Sequence, residues 1–368
     1  MSAFKIGFIG LGLIGGSIAR ALRASMPDVW ITVYDIDKNT LALAANDGIA
    51  NRTSSVIDAS FSACDYIFLC APVSGNAENL TTLKQYLSPS CVLTDVGSVK
   101  SGIHERIQTL GLDGQFIGGH PMAGSERYGY ANSKARLLEN AYYILTPTSK
   151  TSPDQLKDYE RLVVSMGAIP LVLDADQHDY VTAAISHLPH IIASSLVNLV
   201  RESDSEDGTM KMIAAGGFKD ITRIASSSPD MWQQICLTNT DNIVRLLDHY
   251  IEALSAVRDK LNGRDARVLY DFFNNARMYR DSFIEASSGP IKKSYSLTID
   301  IADETGALAS IATMLALNNI SIKNIGIVHN RELEEGALRI EFHEKEAVEQ
   351  AVCALTAQGY TIRTRRPS

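Results

Sequence analysis

The chain has few cysteines, no low-complexity tract and no surplus of positive charge, and each absence removes a class of protein. Cys64, Cys70, Cys91, Cys236 and Cys353 are odd in number and widely scattered over 368 residues. None forms a C-x-x-C pair or joins histidines at metal-ligand spacing, so no metal site is expected. Reduced thiols in a cytoplasm are the expected state. No apolar run approaches the ~18 residues that span a bilayer, so no membrane partner is expected. The apolar start FKIGFIGLGLIGGSIARAL imitates a secretory leader, yet its glycines fall at turn positions and no clean cleavage site follows. A formal charge of −8 argues against nucleic acid. An anionic ligand would have to be drawn in by local Arg, Lys, His or helix N-termini.

What is present is ordered in three stretches. Up to about residue 173, short β-branched runs alternate with helical ones. The strand candidates are Lys5–Ile9, Trp30–Tyr34, Asp65–Cys70, Val92–Asp95, Gln115–Ile117, Tyr143–Thr146 and Ile169–Leu173. Alternation of this kind predicts βαβ units and a mainly parallel sheet covered on both faces. From Asp174 the strand signal ends and long helical patterns follow: Asp176–Ala184, His190–Glu202, Gly208–Ser226, Asp230–Asn262 with a break near Thr238, and Asp265–Ala286. Their wide apolar stripes suit an all-helical domain that also packs on a second copy. The small, polar segment Ser287–Ser294 reads as a linker. A β-α-β-β-α-β pattern, the ferredoxin-like order, closes the chain. The expected domains are therefore 1–173, 174–288 and 294–368: a Rossmann-type α/β sheet, a helical domain and a small α+β domain.

The first glycine cluster, Gly10-Leu-Gly12-Leu13-Ile14-Gly15, lies directly after a strand and at the opening of a helix. Gly10 permits the tight turn, Gly12 leaves room for a pyrophosphate against the backbone, and Gly15 lets helix and strand pack closely. Alone this pattern says little. Here a second strand ends at Asp35, twenty residues after Gly15, where a carboxylate accepts from both ribose hydroxyls and repels a 2′-phosphate. NAD rather than NADP is the expected cofactor. Asp37 competes with Asp35 for that role, and a purely structural glycine turn beside an unrelated aspartate is the other reading.

Ligands of such sheets bind beyond the carboxyl ends of the strands. The segment Cys70-Ala71-Pro72 is expected to wall the adenosine side. Asp95-Val-Gly-Ser98-Val-Lys100 ends in a hydroxyl and a cation, and Gly118-Gly-His120-Pro-Met-Ala-Gly124-Ser-Glu126 reads as a glycine-flanked loop. His120 suits a proton acceptor for an alcohol losing hydride, with Ser98 bonding either its imidazole or the nicotinamide end. A capped, structural loop histidine remains the alternative. In the helical stretch, Ser186-His187-Leu-Pro-His190 sets two histidines around a proline. Lys219 and Arg223, four apart, share a helical face; they are either a solvated cationic face or, through Arg223, a bidentate grip on a carboxylate.

The blocks GLGLIGGSIA, TDVGSVK, IGGHPMAGSE, SHLPH and GGFKDITRIASSSPDMW occur in this order. Together they resemble the prephenate and arogenate dehydrogenase family over roughly residues 4–285. The resemblance implies hydride transfer from ring C4 of prephenate to NAD and loss of the ring carboxylate as CO2, yielding 4-hydroxyphenylpyruvate for tyrosine synthesis. It implies that His120 accepts the hydroxyl proton, that Ser98 supports it and the nicotinamide, and that His187 and Arg223 orient substrate. Lys219, Glu126 and Trp232 match pocket-lining positions. The final unit resembles an ACT domain, which implies feedback by an aromatic amino acid at Asp303, Gly306 and Ala307. The alternatives are an arogenate dehydrogenase, a β-hydroxyacid dehydrogenase and a non-catalytic sensor of NAD and an amino acid.

Overall fold

The computed structural model describes residues 4–125, 127–286, 295–301, 306–328, 336–342 and 344–363. Glu126, Asp303 and the expected linker 287–294 lie outside the described residues. The chain divides into two compact units, Met1–Ala266 and Arg267–Ser368.

The first unit opens with β1 (Lys5–Ile9), α1 (Leu13–Ser25), β2 (Trp30–Tyr34), α2 (Lys38–Asn46), β3 (Arg52–Ser54), β4 (Tyr66–Leu69), α3 (Val73–Leu83), β5 (Val92–Asp95) and α4 (Ser101–Thr109). The five strands form one parallel sheet in the order β3-β2-β1-β4-β5. Strand β1 thus lies between β2 and β4, and the direction of winding reverses there. In an open α/β sheet that reversal leaves a crevice beyond the strand ends. Ile6, Phe8, Ile31, Val33 and Phe68 pack with Ile18 and Leu22 of α1 on one side; Ile9, Ile67, Leu69 and Leu93 pack with Leu80, Leu83 and Ile107 on the other. Burial on both faces accounts for the nearly unbroken apolar strands.

Next come β6 (Ile117–Pro121), β7 (Tyr142–Pro147), α5 (Pro153–Ser165) and β8 (Ile169–Val172). They form a second sheet, in which β6 and β7 are antiparallel and β7 and β8 parallel. A single bridge between Leu93 and Phe116 links it to β5. The expected strand at Gln115–Ile117 is therefore displaced: it runs on through Gly118, Gly119 and His120. Those glycines imitate a loop in sequence. In the fold a Cβ on Gly119 would meet the Asp95 carbonyl at 2.6 Å and one on Gly118 the Thr146 hydroxyl at 2.2 Å. They are glycines because the strand is packed closely on both faces.

The helices of this unit are α6 (Ala175–Thr182), α7 (Leu188–Ser203), α8 (Thr209–Ile213), α9 (Gly216–Thr222), α10 (Pro229–Thr238) and α11 (Thr240–Gly263). The break expected near Thr238 is present. The helix expected over Gly208–Ser226 is instead α8, α9 and a 3-10 turn, Arg223–Ser226. Between α6 and α7 a π-turn spans Ala183–His187, closed by the Leu188 N–H on the Ala183 carbonyl. Pro189 has no N–H to give the Ile185 carbonyl, which loosens the ladder at that point.

The run Ala175–Ser203 is helical over 29 residues, and its most apolar 18-residue window has a mean hydropathy of 1.4, enough by length and composition to cross a membrane. The sequence reading missed it because its polar residues are spaced along the helix and interrupt every apolar run. Among them His178, Asp179, Thr182 and His187 are all buried.

The second unit holds α12 (Ala266–Ala286), β9 (Tyr295–Ile301), α13 (Ala307–Leu317), β10 (Ile322–Val328), β11 (Gly336–Phe342), α14 (Lys345–Ala357) and β12 (Ile362–Arg363). Its four strands form an antiparallel sheet in the order β10-β11-β9-β12. Leu297, Ile299 and Ile301 alternate inward along β9 and pack with Leu338 and Ile340 against Ile311, Leu315 and Leu355.

Candidate active site

The glycine turn follows β1. Gly10 has φ +85°, and a Cβ there would lie 2.7 Å from the Ala71 amide nitrogen, so both conformation and space demand glycine. A Cβ on Gly15 would meet Cys70 Cβ at 2.9 Å, which sets how closely α1 approaches β4. Gly12 faces open space, and no side chain caps α1. Backbone N–H groups and the positive helix end are thus left open at the start of α1, as a pyrophosphate requires. Asp35 Oδ2 accepts from the Leu11 amide at 2.7 Å, which holds the carboxylate against this turn. Asp37 is occupied otherwise: it caps α2 through the Asn39 and Thr40 amides.

Beyond β5 the loop from Asp95 to Lys100 turns inward. Lys100 was expected as a cation at the site, but its side chain is fully buried, ion-paired with Asp95 and donating to the Gly119 carbonyl at 2.7 Å. Asp95 in turn accepts from the Gly97 amide at 2.9 Å and the Gly119 amide at 3.2 Å. This pair spends its charge on fastening β6 beside the end of β5, and so positions the next residue, His120.

His120 lies on β6, paired with Ile144 of β7, and not in a loop. Its Nδ1 is 2.8 Å from His178 Nε2, and His178 Nδ1 is 2.7 Å from Asp179 Oδ1. Ser98 is half-buried and, among the described residues, makes no hydrogen bond to the imidazole; that place is taken by His178. Burial, reinforced by His178, Lys100 and His187, holds the His120 pKa well below the usual histidine range. The ring is therefore neutral at ordinary pH and free to take up a proton.

His187 lies in the π-turn, close enough to His120 to act on it electrostatically. Its Nδ1 is 3.2 Å from Asn239 Nδ2, and its ring meets Trp232 edge-on at 6.0 Å. Trp232 also stacks on His190 at 3.6 Å. Burial lowers the His187 pKa to about 4. His190 is lowered too, by burial and then by the charge of Arg223. The structure thus brings His120, His178 and His187 together and places Arg223 beside His190. Lys219 and Arg223 do not share a regular helical face, because α9 ends at Thr222; both are exposed.

Three residues escaped the sequence reading. His178 and Asp179 are adjacent in α6, and Asn239 lies where α10 and α11 meet. Residues 174–182, DADQHDYVT, are mostly polar, so nothing in the pattern marks 178 and 179 as buried.

The buried histidines set a pH dependence for stability. The folded state keeps His187 neutral to about pH 4, whereas the unfolded chain protonates near 6.5. Above pH 6.5 the residue is neutral in both states and contributes nothing; below it the unfolded state gains the proton, and stability falls. Linkage gives a loss of about 2 kcal/mol by pH 5 from this residue. Urea midpoints at pH 7.5 and pH 5 are expected to differ less in His187→Gln than in the parent; equal differences would contradict the assignment.

Comparison with known proteins points to one family. Residues 18–171 match the nucleotide-binding domain of prephenate dehydrogenase, and residues 174–275 match the dimerization domain of the same enzyme. Prephenate dehydrogenase of Bacillus subtilis is 37% identical over 348 residues, covering 93% of this chain and 94% of the relative. The crystal structure of the A. aeolicus enzyme with hydroxyphenyl propionate and NAD+ superimposes with a TM-score of 0.73 at 32% identity, over 77% of this chain and 99% of the other. Synechocystis arogenate dehydrogenase gives a TM-score of 0.69 at 28% identity, over 76% of this chain and all of the other. With both domain models matched in order and a relative 37% identical over nearly the whole chain, this chain belongs to the prephenate dehydrogenase family.

Proposed function

We propose that the protein oxidises prephenate to 4-hydroxyphenylpyruvate with NAD, and that His120 is the base. The observation that carries this reading is a neutral, half-buried histidine fastened beside the end of β5, near the crevice of the glycine turn. NAD supplies the hydride acceptor for ring C4, on a turn whose glycines and Asp35 fit a dinucleotide without a 2′-phosphate. His120 takes the C4 hydroxyl proton as the hydride departs. The ring carboxylate leaves as CO2, and its bonding electrons complete the aromatic ring. Aromatisation drives the step, so the protein has chiefly to position the substrate and provide one base.

His187 and Arg223 orient the substrate, Arg223 through a carboxylate, with Lys219 and Trp232 as further pocket residues; Glu126, outside the described residues, is a candidate for the same role. Leu13, Ile14, Ala71 and Pro72 line the cofactor, and Ser98 meets its nicotinamide end. The domains run 1–173, 174–288 and 294–368. Exposed apolar side chains on α7 and α11, such as Leu199, Ile251 and Leu254, support a homodimer. Five free cysteines support a cytoplasmic site.

The carboxy-terminal unit is read as an ACT module of ferredoxin-like plan that binds an aromatic amino acid. The strand order β10-β11-β9-β12 supports this, as does the left-handed Gly306 (φ +94°) before Ala307. Tyrosine is expected to inhibit the full chain and not a chain lacking residues 289–368; inhibition that survives the deletion places the effector elsewhere. An assay crossing prephenate and arogenate with NAD and NADP tests the main reading. Turnover of arogenate alone would move the assignment to arogenate dehydrogenase, and turnover of neither would leave a sensor.

A further inference from the structure

Two histidines face this site, and each has one ring nitrogen engaged by a partner whose hydrogen-bonding role is set by chemistry. The Asp179 carboxylate accepts from the Lys100 amide at 2.7 Å, the Ser101 amide at 2.8 Å and the Ser101 hydroxyl, and it is 1% exposed. These donors, with His178, keep it ionised. An ionised carboxylate can only accept, so the proton at 2.7 Å belongs to His178 Nδ1. With this single proton His178 has a lone pair at Nε2, and the atom 2.8 Å away, His120 Nδ1, is then the donor. The proton-bearing nitrogen of His120 is thereby turned away from the reaction, and Nε2 keeps its lone pair.

The opposite holds at His187. Asn239 Nδ2 lies 2.8 Å from the Asp179 carbonyl, which only accepts, and Asn239 Oδ1 receives Asn242 Nδ2 at 2.9 Å. Both contacts fix the amide with its NH2 toward His187, so His187 Nδ1 accepts at 3.2 Å and its proton resides on Nε2.

We propose that His178 with Asp179, and Asn239 with the Asp179 carbonyl, are positioning groups that lock His120 and His187 in opposite tautomers, one an acceptor at Nε2 and the other a donor. The consequence for His120 rests on the reading of that residue as the base. Taking the substrate proton on Nε2 makes His120 an imidazolium whose Nδ1–H is already donated to His178, with the charge of Asp179 one ring away. No second proton transfer is needed. A His178 ring protonated on both nitrogens would instead force the proton of neutral His120 onto Nε2 and abolish its basicity toward substrate. His187, donating from Nε2, suits an oxygen of an anionic substrate.

The test is the ring-nitrogen NMR spectrum of the full chain, labelled with 15N-histidine at neutral pH, with signals assigned through His120→Asn and His187→Gln. His120 is expected to be protonated on Nδ1 and His187 on Nε2. His178→Leu removes the acceptor: His120 is expected to populate both tautomers, and kcat to fall roughly 10- to 100-fold. KM for prephenate and for NAD should change little. His178→Gln offers an amide oxygen near the same place and should restore the Nδ1–H tautomer and most of kcat. A proton on Nε2 of His120 in the parent overturns the proposal, as does wild-type turnover in His178→Leu. A Gln variant as slow as the Leu variant, despite a restored tautomer, overturns it too. Should His120→Asn keep its turnover, the base reading fails, whereas the tautomers read by NMR stand or fall separately.

Discussion

Replacing His120 with asparagine is expected to lower kcat by about two to four orders of magnitude, the usual contribution of one general base. Little change is expected in the affinity for NAD. Asparagine retains an N–H that can be given to His178 Nε2, so the hydrogen bond that holds α6 to β6 can persist. What is lost is the lone pair at Nε2. The base acts mainly as the O–H bond breaks, so the loss belongs in kcat more than in KM. Stopped-flow reduction of NAD at saturating prephenate measures it directly. An unchanged kcat would remove His120 from the chemistry and leave it as a packing residue of β6. The low pKa of His120 adds a second expectation: the acid limb of kcat/KM lies below the ordinary histidine value, because burial keeps the ring neutral as pH falls.

The other large effect is expected at Arg223. Replacing it with alanine should raise KM for prephenate roughly 10- to 100-fold, as follows from losing a charge-assisted hydrogen bond of about 1.5–3 kcal/mol. KM for NAD should stay within about twofold, since the glycine turn and Asp35 are far along the chain and belong to a different part of the unit. Arg223 opens the turn after α9 and is exposed, so its removal should cost little stability. Arg223→Lys tests geometry: a point charge cannot reproduce a planar fork, so lysine should recover only part of the affinity. Equal rises in KM for both ligands would show that the residue supports the fold and does not grip a carboxylate. His190, whose pKa the Arg223 charge lowers, should become easier to protonate in the alanine variant.

These expectations rest on residues that differ in how visibly the sequence announces them. The turn at Gly10, Gly12 and Gly15 was legible because its requirements are local: a positive φ, a close approach and a helix start recur whenever a strand feeds a helix under a phosphate. The parallel core was legible for the same reason, since strands buried on both faces must be apolar along their whole length. His120 was legible as a residue and misread as a loop, because glycine marks both freedom and crowding. Only the Asp95 carbonyl and the Thr146 hydroxyl, brought in from other strands, show that Gly118 and Gly119 answer to crowding.

The sequence by itself determined the nucleotide turn, the alternation that builds the sheet and the break near Thr238, and it singled out His120 as the candidate base. Tertiary structure alone decided the partners of that histidine. Lys100 looked like a free cation and proved to be a buried strut, because Asp95 and the Gly119 carbonyl converge on it across a gap that no spacing rule measures. His178 reaches His120 from 58 positions along the chain, and Asn239 reaches His187 from 52. Local patterns follow from the repeat of one helix or strand, whereas the tautomer of a histidine follows from whichever donor or acceptor the fold sets 3 Å away.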